Sequence, residues 1–147
     1  MDTGFETVWR RVTGSTAADD EQTKLRRWIG EEATAAEIYA SLLRKTSGMV
    51  HETLAAVLNS KRKRLRQLRV LYFLRTGEIL SPQPERPSAR PLREALRDCY
   101  HAELSMAESY RTAAVGGKAD TSAFLAESAE ASERQASAVR RLLERLL

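Results

Sequence analysis

Cysteine is nearly missing from this chain of 147 residues: there is one, Cys99, beside two histidines, His51 and His101. A single thiol excludes an intrachain disulfide and any zinc or iron–sulfur site built from cysteines alone. All four prolines fall in one stretch, SPQPERPSARP at 81–91, so the rest of the chain is free of the strongest helix breaker. No run approaches the ~18 apolar residues of a membrane span. The opening MDTGFETVWRRV carries no apolar signal-peptide region, so a cytoplasmic protein with no membrane partner is expected. Neither charge sign dominates. The net charge is +4 and the pI about 9.5, too mild a balance to imply a nucleic-acid partner. With 42% hydrophobic and 30% charged residues, one globular domain can bury a sizeable core.

Strand signals are also scarce, and helix formers with apolar residues three and four apart fill the chain. The periodicity predicts a short amphipathic helix over about 4–13 (Phe5, Val8, Trp9, Val12), with residues 1–17 forming that helix and a linker. Four long helices follow, over about 18–46, 49–76, 91–115 and 121–146. Gly14, Gly48, Gly77 and Gly116-Gly117 punctuate them, and Asp120 is expected to cap the last. The proline-rich stretch is a crossover, 78–90, between the halves 18–77 and 91–147. Two helix hairpins joined by a long crossover describe an all-α four-helix bundle over 18–147. The halves also align without gaps at one offset, which places Leu25 on Leu96, Glu32 on Glu103, Tyr39 on Tyr110 and Leu71 on Leu142. That register supports an internal duplication.

The stripes that should face inward contain charges. Helix one presents Leu25, Trp28, Glu32, Ala35, Tyr39 and Leu42. Helix three presents Leu92, Leu96, Cys99, Glu103, Met106, Tyr110 and Ala113. On helix two, LNSKRKRLRQLRVLYF at 58–73 looks like a nucleic-acid-binding arm. Yet Leu54, Leu58, Lys61, Leu65, Leu68 and Tyr72 share one face, with Arg64 on its flank, while Arg62, Lys63, Arg66 and Arg69 point outward. Helix four brings Leu125, Ser128, Ser132, Ala136, Val139, Leu143 and Leu146, flanked by Gln135. Polar groups thus enter the core from all four helices, and buried charges require partners.

Glu32-x6-Tyr39, Glu103-x6-Tyr110, the long crossover and the phrase LYFLRTGE together resemble the ferritin-like superfamily, in particular rubrerythrin-like di-iron bundles. The resemblance spans about residues 20–147. It implies that each half supplies one glutamate from its first helix and a Glu-x-x-His from its second, holding two metal ions. Glu32 and Glu103 match the lone glutamates. The Glu-x-x-His of the first half falls on Lys61 and Arg64, and that of the second on Ser132 and Gln135, so four of the six implied ligands are replaced. A protonated lysine or arginine cannot ligate a metal. The expectation is a lost di-iron site with no cofactor and no catalytic residue. In its place, Lys61 and Arg64 balance Glu32 and Glu103, with Ser132 and Gln135 as neutral hydrogen-bond partners. Tyr39 and Tyr110 support the carboxylates across the bundle or simply fill the core. The resemblance also implies a homodimer or higher homo-oligomer.

The same residues admit other readings. A working iron or manganese oxidoreductase would rest on Glu32 and Glu103 with non-standard ligands, drawing on Glu37, Glu108, Glu127, Glu130 or Glu133, each better placed on a solvated face. His101 is read as a surface residue and His51 as lying at a bundle end. A rubredoxin-type centre needs four thiolates and is excluded. Cys99 is read as a buried structural thiol, or as a redox-sensing one if a nearby cation lowers its pKa. Nucleic-acid binding through the outer cations of helix two is the least favoured reading, because the other helices carry many acidic residues.

Overall fold

A computed structural model describes residues 15–147, and the expected helix at 4–13 lies outside them. Four helices follow in order: α1 (Ser15–Leu43), α2 (Gly48–Thr76), α3 (Leu92–Gly116) and α4 (Ala119–Leu146). No strand forms among the described residues. Each helix begins within about three residues of its expected start, the usual scatter at helix ends. No helix among the described residues is long and apolar enough to cross a membrane.

The glycines act in different ways. Gly77 ends α2 as expected, with φ 75° and its N–H donating to Phe73 O at 2.7 Å. That left-handed conformation is inexpensive only for glycine. Gly48, expected to stop the first helix, instead opens α2 with φ 65°. α1 has already ended at Leu43, where Lys45 N–H donates to Leu42 O. His51 Nδ1 lies 3.1 Å from both Leu43 O and Thr46 O, so its ring N–H serves carbonyls left over by the end of α1. Asp120 falls inside the first turn of α4 rather than at its cap. Its Oδ1 accepts from Thr121 N–H at 2.9 Å.

α1 packs mainly on α2, and α3 on α4. Arg75 at the end of α2 reaches both Glu21 on α1 and Thr121 on α4, at 3.0 Å each. At the other end of the bundle, Arg93 on α3 donates to Leu146 O on α4 at 2.6 Å. The two hairpins therefore lie side by side with α1 antiparallel to α3, and the crossover must run the length of the bundle. Two hydrogen bonds fasten it: Arg69 Nε to Leu80 O at 2.8 Å, and Glu85 N to Thr34 Oγ1 at 3.1 Å. Arg69, expected to point at solvent, is half-buried by this duty.

The predicted inward stripes form the core. Leu25, Trp28, Tyr39 and Leu42 of α1 are buried with Leu54, Leu58, Leu68 and Tyr72 of α2, Leu96, Met106 and Tyr110 of α3, and Leu125, Ala136 and Val139 of α4. Leu65, Leu92, Ala113, Leu143 and Leu146 are only partly covered. Full burial of such side chains contributes roughly 1.5–3 kcal/mol each. That drive holds the backbone register and thereby places the charged members of the same stripes at mid-height.

Candidate functional site

Glu32 and Glu103 come from α1 and α3, Lys61 from α2, and each is 1% exposed. Lys61 Nζ lies 2.7 Å from Glu32 Oε1 and 2.7 Å from Glu103 Oε1. The contact with Glu32 is an aligned hydrogen bond. Glu103 Oε1 receives no well-directed hydrogen bond, so its contact with the ammonium is mainly ionic. The outer oxygens are held by tyrosines exchanged between the halves. Tyr39 on α1 donates to Glu103 Oε2 at 2.9 Å, and Tyr110 on α3 donates to Glu32 Oε2 at 2.6 Å. The supporting role open to both tyrosines in the sequence is thus the one they take. Trp28 packs against Tyr110 in a tilted arrangement, with ring centroids 5.0 Å apart, and donates its indole N–H to Ser109 Oγ at 2.9 Å, which fixes one side of this frame. Ser109 gave no signal in the sequence, since it lies between the inward positions of α3.

The protonation states follow from this geometry. Burial opposes the Lys61 ammonium, but the carboxylates of Glu32 and Glu103 outweigh it and leave its pKa above the ordinary value. Burial pushes the Glu103 carboxyl up, Lys61 pulls it down, and the nearby Glu32 charge adds to the rise, which prevails. Tyr39 and Tyr110 are raised well above the usual phenol range, first by burial and then by the carboxylate each one faces. Both therefore remain hydrogen-bond donors over the whole physiological range.

Three expected members of the cluster are placed differently. Arg64 is buried but does not face the carboxylates. Its guanidinium donates to Gln67 Oε1 at 2.9 Å, stands 3.7 Å from Glu127 Oε1 and lies 5.1 Å over the Phe124 ring. Near the edge of the bundle it keeps an exposed carboxylate and an aromatic face beside it, and so avoids the full desolvation cost of a fourth charge in the cluster. Gln135 donates to Ser60 Oγ at 2.5 Å, tying α4 to α2. Ser132 is buried and makes no hydrogen bond to either carboxylate. The expected balance of two cations against two carboxylates is therefore corrected to one ammonium shared by two carboxylates, each of which also accepts from a phenol.

Cys99 is buried, and its thiol is pushed up to about 12, chiefly by burial. The same desolvation opposes a cation-activated thiolate and outweighs the pull of Lys61. His101 is exposed, as expected. A cleft of about 560 Å³ between α1 and α3 reaches the cluster, with Tyr39, Cys99, Glu103 and Met106 at its base and Arg27 and Glu31 along its wall. Burial raises the Glu31 carboxyl, against the pull of Arg27.

The donor set does not suit a pair of metal ions. The point between the two carboxylates is taken by a cation that cannot ligate. Among the described residues, no group of three or more His, Cys, Asp or Glu side chains is placed to hold a metal. Comparison with family profiles, with curated proteins and with solved structures finds no match.

Proposed function

We propose that this chain is a ferritin-like bundle in which side-chain charge has taken the place of a di-metal centre, and that it serves as a non-catalytic scaffold. The observation that carries the reading is Lys61 Nζ at 2.7 Å from one carboxylate of each hairpin. Two carboxylates, each held by a tyrosine from the opposite half, form a frame suited to cations. A tethered ammonium fills it permanently, so the cluster stores no exchangeable ligand and offers no open coordination position. The positions equivalent to Glu-x-x-His, at Lys61/Arg64 and Ser132/Gln135, support the same reading. In this proposal the cluster fixes how the two hairpins dock, and any activity of the protein lies on its surfaces.

Metal analysis of protein purified without added metal tests the proposal, with sub-stoichiometric iron and manganese expected. Two such ions per chain would overturn it. A second test restores the implied ligands through Lys61→Glu, Arg64→His, Ser132→Glu and Gln135→His together. A folded variant that binds metal supports the positional assignment, and a folded variant that binds none sinks it.

A further inference from the structure

The bundle is hollow at the end where α1 starts. Trp28 on α1 bonds Ser109 on α3 at 2.9 Å, and Arg75 near the end of α2 bonds Glu21 on α1 at 3.0 Å. Two turns back from Trp28 is Glu21, and two turns on from Ser109 is Gly116, the last residue of α3. Glu21 is therefore level with the ends of both α2 and α3. The stretch Ser15–Asp20, about 9 Å of helix, stands past them. Under this overhang lies a hollow of about 580 Å³, lined by residues of all four helices. Leu25, Trp28, Leu71, Ala113 and Leu125 supply its apolar wall. Its one arginine, Arg75, is already bonded to Glu21 and Thr121.

We propose that this hollow is the docking site of the chain's own segment 5–12, which lies across the bundle end as a helix with Trp9 inserted. Phe5, Val8, Trp9 and Val12 share one face at helical spacing. A helix of about ten residues is marginal in water by itself and needs a surface to lie on. The length of the segment and its point of attachment select this surface. Thr13 and Gly14 span about 7 Å at most. That is enough to turn from the start of α1 onto the bundle axis. It is too little to pass α2, whose axis stands about 8–10 Å from that of α1, so the exposed Val70 and Leu74 on the far side of α2 are out of reach. A helix over 4–13 is about 15 Å long, close to the diagonal of about 11–14 Å across four helices at that spacing. The apolar wall suits an indole, which gains most by burying its large surface. A small anion fits less well, because Arg75 is already engaged. Trp28 lies between the hollow and Tyr110, so the docked segment also shields the Tyr110 side of the buried cluster.

Paramagnetic broadening in the full chain tests this. In a Cys99→Ala background, a nitroxide on Lys118→Cys, at the exposed rim of the hollow, should broaden the indole N–H signal of Trp9. A nitroxide on Met49→Cys, exposed at the opposite end of the bundle, should leave that signal sharp. The broadening should persist on dilution. A Trp9 signal that stays sharp with the label at 118, or broadens equally from 49, overturns the proposal. Broadening that fades on dilution would assign the segment to a second chain and equally overturn it. Trp9→Ala should lower the melting temperature by about 10 °C with little change in helical circular dichroism, and an unchanged melting temperature would show that the indole is not buried. None of these outcomes bears on the metal analysis above.

Discussion

Tyr39 donates its hydroxyl proton to Glu103 across 2.9 Å, joining side chains 64 residues apart in the chain. Tyr110 returns the same contact to Glu32. The phenols bind the outer oxygens and Lys61 the inner ones, so every oxygen of the two buried carboxylates faces a donor or a cation. Removing one phenol leaves a buried carboxylate oxygen without its donor. Tyr39→Phe and Tyr110→Phe should each cost about 1–3 kcal/mol, read as a shift in the urea midpoint with an unchanged slope. A loss of only a few tenths would mean that the tyrosines merely fill space.

Lys61 is the member that cannot be spared. Lys61→Ala leaves two carboxylates facing each other, and losing one partner of a buried ion pair costs roughly 3–5 kcal/mol. The variant should also recover part of its melting temperature on addition of millimolar Mn²⁺, because a cation that binds only the folded state stabilises it. Wild type should show no such effect. A variant indifferent to Mn²⁺ would mean that the carboxylate frame does not hold once the ammonium is gone.

The raised groups set the pH dependence. Glu103 has a folded pKa above its ordinary 4.5, so its contribution is fully present below that value and is lost as pH rises through the folded pKa. Lys61, also raised, contributes fully below its ordinary 10.5 and loses that contribution above it, as pH passes the folded pKa. Glu103→Gln should therefore gain stability relative to wild type as pH is raised from 4.5 toward neutrality. Lys61→Met should abolish the alkaline part of the profile. Melting curves of the three proteins across pH decide both, and parallel profiles would place the titrating groups elsewhere.

Cys99, with its thiol pushed up to about 12, should react with iodoacetamide at pH 8 only as fast as the protein opens. The rate should rise by orders of magnitude in urea. Fast labelling of the native protein would show that the cleft at Cys99 admits reagent and that the thiol is activated.

Much of this was legible in the sequence because helices repeat. Glu32, Lys61 and Glu103 stand at the steps of three and four that also place Leu25, Leu58 and Leu96, and a residue in such a stripe goes wherever the stripe is buried. The matched spacing of Glu32 to Tyr39 and Glu103 to Tyr110 led to the crossed hydrogen bonds. Arg64 was not legible in the same way. It stands one turn from Lys61, about 60° round the helix, and its long side chain can reach the core or the edge. Phe124 and Glu127 on α4 drew it to the edge, and they adjoin it only once the hairpins dock. Ser60 likewise became the partner of Gln135 through packing of α2 on α4. Arg69 became the anchor of the crossover because Leu80 O came within its reach.

The sequence by itself determined four amphipathic helices, the faces they bury and the charged residues that enter those faces, because apolar periodicity and chain punctuation are local properties. Only the tertiary structure decided which charges meet. Pairing depends on ångström-scale distances between helices, and on the desolvation cost that admits one ammonium between two carboxylates and leaves the neighbouring guanidinium at the bundle edge against Phe124.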